Sequence, residues 1–475
     1  MRIIPPLFVL LATAACTAGP DYAGPAGEAP PPPAAFVRAA GGSPTIEDNA
    51  GPWWNGLNDP LLNTLITRAL AGNPNLDAAS ARIRQARAAL KQRKAAGLPA
   101  VNSSALFAKA RLPGQSSDGG ATDLTLYNLG FDSSWELDLF GGQRRAVEAA
   151  RADIQTREAE LDDAKVSLSA EVAQNYVNLR QNQRLLALGE EMQRLQEQQI
   201  VFADQRYKAG TVARSDVLQA ETQRDAARAQ LAPIRAEIDA YKDALAVLTG
   251  AVPGDLDAEL ALPGAIPLPP AEVAVGDPAA LLARRPDVRG AERTLAAQNA
   301  RIGVAEAARL PHISFLGLLG LGGSTPSDLF DLDKITVAAV PRLSWSLFDF
   351  GMNKAKVTSA TAQRDEAAAQ YRWAVLEALR DAEDALSRFA HSRDSLADRA
   401  HAELGAKTHS ELQRQRQMAG TIAVSDYLEA RLASLSAEQD RQRAAAATAS
   451  AFIAVEKALG LGWQNLPPSP AGDPQ

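Results

Sequence analysis

Two stretches, Arg206-Tyr-Lys-Ala-Gly-Thr-Val-Ala-Arg-Ser-Asp-Val-Leu-Gln-Ala220 and Arg416-Gln-Met-Ala-Gly-Thr-Ile-Ala-Val-Ser-Asp-Tyr-Leu-Glu-Ala430, coincide when laid over each other at a spacing of 210 residues. Ala209, Gly210, Thr211, Ala213, Ser215, Asp216 and Leu218 match Ala419, Gly420, Thr421, Ala423, Ser425, Asp426 and Leu428. In each stretch a Gly-Thr pair interrupts two long polar–apolar periodic segments, and Ser-Asp opens the second. Glycine is favoured where a helix ends in left-handed backbone, and Ser or Asp at the N-cap of the next helix. Each stretch therefore predicts the tip of a long helical hairpin whose returning arm starts at Ser-Asp.

The repetition extends outward. Ser134-Trp135-Glu-Leu-Asp-Leu-Phe140-Gly141 returns as Ser344-Trp345-Ser-Leu-Phe-Asp-Phe350-Gly351 at the same spacing. Asn73-Pro74-Asn75-Leu76 and Leu98-Pro99 return as Arg285-Pro286-Asp287-Val288 and Leu310-Pro311 at a spacing of 212. The change of spacing falls in an interval holding the Gly/Ser/Pro-rich runs 111–122 and 322–328, which read as loops tolerant of length change. The 475 residues are thus a tandem duplication rather than three unrelated domains. Each half runs helix, two strands, long helix, tip, helix. The repeats span 51–250 and 277–463, joined by a Pro/Gly-rich connector at 251–276, and a Pro-rich tail at 464–475 is expected to be disordered.

Residues 1–15 carry one charge, Arg2, and an apolar run too short to span a bilayer, and read as a signal peptide. Thr13-Ala14-Ala15-Cys16 resembles a bacterial lipobox, which makes Cys16, the only cysteine, the expected lipidated N-terminus. An ordinary signal peptide with an incidental cysteine is the alternative. Residues 16–50 are rich in Pro, Ala and Gly and read as an extended linker. Trp53-Trp54 precede a short helix at 59–71 and are expected to pack against a neighbour rather than form a ligand platform. A helix follows over 74–97.

In Phe131-Asp-Ser-Ser-Trp-Glu-Leu-Asp-Leu139 the odd positions are mostly apolar and the even ones hold Asp132, Glu136 and Asp138. A strand places these sets on opposite faces. In a soluble sandwich the acidic face is solvated; in a membrane barrel it lines the lumen while Trp135, and its repeat Trp345, sit at the lipid interface. Further strands are expected near 101–109, 313–321 and 335–348. The proline-free segments 141–210 and 351–420 each predict a helix about 100 Å long. Val172, Leu179 and Leu186, then Leu231, Ile238 and Leu245, recur at heptad spacing, which argues coiled-coil packing, and Pro233 should kink or divide its helix.

No phosphate-binding loop, dinucleotide glycine pattern or His-Glu-x-x-His is present. His391, His401 and His409 are spaced ten and eight apart, not as a chelating pair. A net charge of −7 with interspersed signs argues against a nucleic-acid surface. No catalytic constellation, cofactor or metal site is expected. Geometry remains: four strands with one apolar face cannot close a barrel, and an open edge cannot sit in lipid. Three chains would supply twelve strands above a bundle of long helices.

Several motifs then resemble the TolC-like outer-membrane efflux channels, in the OprM/NodT-like lipoprotein branch that serves RND-type pumps. They are Trp53-Trp54 with Asp59-Pro60, Leu281-Leu282-Ala283-Arg284-Arg285-Pro286-Asp287-Val288-Arg289, Ala300-Arg301-Ile302-Gly303-Val304-Ala305, the Ala-Gly-Thr tips, and Ala458-Leu459-Gly460 to Trp463. The resemblance implies a mainly α chain with a small membrane β part. Its homotrimer would form a 12-stranded outer-membrane β-barrel continuous with a periplasmic α-helical barrel. It also implies passive export of small molecules delivered by an inner-membrane RND-type pump through a periplasmic membrane-fusion adaptor. Carried over by position, the periplasmic aperture ring falls on Asp426, with Glu429 one turn on, Asp216 as the first-half equivalent and Ile422 as an apolar constriction. The adaptor-docking tips are Ala209, Gly210, Thr211, Ala419, Gly420 and Thr421. The family's arginine lock is absent, since Val212 and Ile422 occupy those places. The rivals are a type I protein-secretion or heavy-metal efflux duct and, in a different class, a structural coiled-coil envelope lipoprotein.

Overall fold

The computed structural model describes residues 17–38, 52–112, 122–270, 273, 275–461 and 463. The signal-peptide, Cys16 and tail readings lie outside these residues. The described chain has two helices, α1 (Pro60–Gly72) and α2 (Pro74–Ala95), then strands β1 (Ala100–Leu112) and β2 (Thr122–Leu137). The hairpin α3 (Gly142–Lys208) and α4 (Arg214–Leu248) follows, then a short turn of helix, α5 (Asp257–Leu260). The second repeat restates the order with α6 (Pro278–Arg284), α7 (Pro286–Ala307), β3 (His312–Gly323), β4 (Ile335–Ser344), α8 (Met352–Met418) and α9 (Val424–Ala458). Both outgoing arms are 67 residues long and both returning arms 35. At about 1.5 Å per residue the outgoing arms reach roughly 100 Å. None of these helices is long and apolar enough to cross a membrane.

Two compact units share the chain. The first takes 82–158 and 290–373 with the N-terminal residues to Pro30; the second takes 31–81, 159–289 and 374–475.

The first unit holds an antiparallel sheet ordered β1-β2-β3-β4, leaving β1 and β4 at open edges. Odd positions face odd positions in every pairing: Phe107 lies opposite Tyr127, Trp135 opposite Phe315, and Leu319 opposite Val337. Because side chains alternate along a strand, this common parity gives both repeats one shared face. That face carries Val101, Phe107, Leu129, Phe131, Trp135, Phe315, Leu319, Ile335, Val337 and Leu343. Ser103 and Ser133 interrupt it, and it turns charged towards the β1–β2 turn, where Arg111 faces Asp123 at 3.7 Å. Ring pairs Phe107–Tyr127 and Trp135–Phe315, with centroids 5.0 and 5.8 Å apart, knit the strands together.

Strand β2 ends at Leu137, so Asp138 does not continue the acidic face. Its carboxylate instead accepts from the Gln143 and Arg144 amides, both at 3.0 Å, closing the start of α3. Asp349 does the same for α8 through Gly351 and Asn353, both at 3.0 Å. Strand β4 likewise stops at Ser344, short of the expected 348.

The linker residues 17–30 have no helix or strand, yet they are held by side chains of this unit. Ala18 N–H donates to Phe140 O at 2.8 Å, Asn299 donates to Pro20 O at 3.0 Å, and the buried Arg145 reaches Ala18 O and Asp21. Tyr22 donates to Glu292 at 2.6 Å, and its ring packs on Ala152, Ala296 and Ala297 and on Leu295, Ala367 and Ala368. Arg364 closes the strap on Glu28.

In the second unit the expected heptad is partly realised within one chain. Leu231, Ile238 and Leu245 of α4 are buried, while Ile234, Tyr241 and Leu248 are half-buried. Helix α4 continues unbroken through Pro233. Trp53 and Trp54 are buried and meet edge to face at 5.6 Å, with Phe452 against Trp53 at 6.1 Å, so they are core. Tyr176 and Arg180 form an anchor the heptads did not reveal. Tyr176 donates to Asp59 at 2.7 Å, and Arg180 holds the connector carbonyl of Leu262 at 2.6 Å.

Candidate functional site

At each tip the outgoing helix ends in the same hydrogen-bonded cap. Gly210 and Gly420 have φ of +72° and +70°, the left-handed backbone that makes glycine necessary there. The Thr211 amide donates to Arg206 O and the Gly210 amide to Tyr207 O, both at 2.9 Å; Thr421 and Gly420 repeat this on Arg416 and Gln417, both at 3.0 Å. This six-to-one and five-to-two pair is the Schellman arrangement. The threonine hydroxyl adds a second bond to the same carbonyl, at 3.0 and 2.9 Å. Gly and Thr are therefore accounted for by local geometry.

The returning helices start one or two residues earlier than expected. Their N-caps are Ala213 and Ala423, not the serines. Asp216 and Asp426 sit in the first turn and their carboxylates accept from the N-cap amides, at 3.1 and 3.3 Å, the half of a capping box that an alanine N-cap leaves intact. Asp216, Asp426 and Glu429 are exposed and make no ion pair among the described residues. Ile422, like Val212, is half-buried. Leu428, between the two acids of the second tip, is buried, which turns Asp426 and Glu429 to the outer side of α9 together. Past the second tip Arg431 pairs with Glu191 of α3 at 2.5 Å, whereas Arg214, past the first, lies over Tyr207 of its own hairpin.

In the first unit the two tryptophans occupy equivalent places. Trp135 Nε1 donates to Gly97 O at 3.0 Å and Trp345 Nε1 to Arg309 O at 3.1 Å, each carbonyl closing the helix before its own hairpin. The indole rings stay on the apolar face with their polar edges tied down. The opposite face, near these strand ends, carries Asn102, Asp132, Ser134, Glu136, Ser314 and Arg342, and His312 Nδ1 lies 2.9 Å from Glu136.

The motifs around Arg285 and Ala458 meet in the second unit. Arg285 donates to Asp287 at 3.0 and 2.7 Å and to Ala458 O at 3.0 Å, while Trp463 lies over Arg289 at 4.7 Å. In the first repeat Asn73, the counterpart of Arg285, donates to Leu248 O at 2.9 Å, the counterpart of Ala458. These motifs join the start of each repeat to its end. No group of three or more His, Cys, Asp or Glu among the described residues is placed to hold a metal.

Comparison with known proteins follows the same lines. Outer membrane protein OprJ of Pseudomonas aeruginosa is 30% identical over 97% of this chain and 95% of its own. The toluene efflux pump outer membrane protein TtgI of Pseudomonas putida is 29% identical over 96% and 98%. The solved structure of the outer-membrane channel OprN superposes with a TM-score of 0.86 at 32% identity, covering 94% of this chain and all of that one. The family model described as outer membrane efflux protein matches residues 65–251 and 278–461, the two repeats almost end to end. By that match, the chain belongs to the outer membrane efflux protein family.

Proposed function

We propose that this protein is the outer-membrane channel of a tripartite, RND-type efflux system and passively conducts small molecules handed on by an inner-membrane pump and a periplasmic adaptor. The observation that carries the reading is the parity of the sheet. A single apolar face runs through both repeats while β1 and β4 keep open edges. Such a sheet is stable in lipid only when its edges are closed, and three copies give an even, twelve-stranded barrel. Polar residues then line the lumen, and Trp135 and Trp345 sit at the interface.

The helical hairpins extend the duct into the periplasm. Asp426 and Glu429 from three protomers form the acidic aperture, with Asp216 and Ile422 beside it, and Ala209–Thr211 and Ala419–Thr421 offer small side chains for adaptor hairpins. Cys16 carries the lipid anchor. Planar-bilayer recording on the detergent-purified protein tests the duct. Discrete cation-preferring steps from a trimer are expected, and Asp426→Ala with Glu429→Ala should raise conductance and weaken block by multivalent cations. A monomer without conductance, in both forms, refutes the reading.

A further inference from the structure

The polar face of the sheet is interrupted by a hollow. Across the four strands one row reads Asn102, Asp132, Leu318, Ala338, and the next reads Ala100, Ser134, Leu316, Val340. On the other side of the Asp132 row the register places Ser104, Gly130, Gly320 and Thr336. The two central glycines put no side chain there. A Cβ on Gly130 would meet Leu319 O at 2.5 Å and Gly320 Cα at 2.7 Å, so the strand backbones press together there. Along the Asp132 and Ser134 rows lies a hollow of about 310 Å³, with Asn102 and Asp132 on one wall and Leu316, Leu318 and Val340 on the other. Leu316 and Val340 are 44% and 51% exposed, so aliphatic carbon is open beside the carboxylate.

Asp132 makes no hydrogen bond or ion pair among the described residues. Glu136, the next acid on this face, is already engaged by His312. Arg342 stands two strands across and two pleats along, roughly 17 Å away at ordinary strand spacings, beyond a physiological screening length. An unpaired carboxylate beside exposed aliphatic carbon matches a ligand with one positive charge on an apolar body. A hydrated inorganic cation has no use for the leucines, and a neutral apolar molecule none for the carboxylate.

We infer that this hollow, one per protomer on the lumen wall, is a transient binding site for lipophilic monovalent cations, with Asp132 as the charge partner. The inference rests on the duct reading for its place in the lumen, but binding itself is measurable without conduction.

Equilibrium dialysis of tetraphenylphosphonium against the full-length protein in neutral detergent is the test, with block of single-channel current on the same samples. Asp132→Asn should weaken binding and shorten block about tenfold, the order expected of one partly screened charge contact. Leu316→Ser, at an exposed position with the charge kept, should do likewise. Tetramethylammonium, charged but small, should bind the parent protein far more weakly than tetraphenylphosphonium does. Tetraphenylphosphonium binding that is the same within twofold in both substituted proteins overturns the inference, and does so whether or not the channel conducts. Asp132-dependent binding in a protein that passes no current upholds the hollow and refutes the duct.

Discussion

Glu456 lies on the buried side of α9 and is only 6% exposed. Its carboxyl has no hydrogen-bond partner among the described residues, and burial pushes its pKa up from an ordinary 4.5 to about 8. The folded chain therefore holds the neutral acid more tightly than the unfolded chain does. The stabilisation linked to that proton is complete below 4.5 and is lost as the pH rises through about 8. At about 1.4 kcal/mol per pH decade the displacement amounts to roughly 5 kcal/mol, and penetrating water and helix relaxation reduce the observable part to roughly 2–4 kcal/mol. Glu456→Gln keeps the shape and removes the titration. Helix melting followed by circular dichroism at pH 5, 7 and 9 should show the parent protein losing stability across the series and Glu456→Gln staying nearly flat. The two should be close at pH 5, with the variant ahead at pH 9. Parallel slopes, or a variant less stable than the parent at pH 9, would refute the reasoning.

Gly420→Val places a β-branched residue at positive φ and should cost about 1–2 kcal/mol at the tip alone, seen as faster hydrogen exchange of the Thr421 amide while the α9 interior is unchanged. Arg285→Ala strands Asp287 and the Ala458 carbonyl and should destabilise by about 3 kcal/mol, whereas the corresponding Asn73→Ala should cost about 1 kcal/mol; reversed melting temperatures would contradict this. Backbone amides of Asn353 and Gly351 hold Asp349 below its ordinary value of 3.8. Its contribution is therefore present above 3.8 and lost as the pH falls through the depressed value, so Asp349→Asn should melt below the parent at pH 6 and converge with it in strong acid.

Much of the architecture was legible because both repeats solve the same local problems with the same atoms. A helix ending in a Gly-Thr cap, an indole bound to the carbonyl before its hairpin, and a side chain reaching the end of its own repeat are short-range geometries. Their residues recur at fixed spacing. Asp138 misled because alternation in the letters continued after the ladder of hydrogen bonds had stopped, and periodicity does not distinguish the last strand residue from a cap. The N-cap was misplaced for a related reason: Ser215 and Asp216 are both good acceptors, and only the backbone path shows that the aspartate reaches back past the serine. The docked segment 17–30 and the hollow beside Asp132 carry no periodic signal. One is held largely through backbone carbonyls and a single tyrosine, and the other arises from rows assembled across four strands.

The strap also sets an order in time. Tyr22, Glu28 and Val37 bind Glu292, Arg364 and Glu383 across sequence separations of 270, 336 and 346 residues. Closing loops of that length is entropically costly and rewarded only once the receiving helices exist, so these bonds form late, after the hairpins have zipped locally. The described N-terminal residues thus become fixed only when the last helices are in place. Pulsed hydrogen exchange during refolding should protect the α9 amides before those of Ala18 and Val37, making the first residues synthesised the last to be secured.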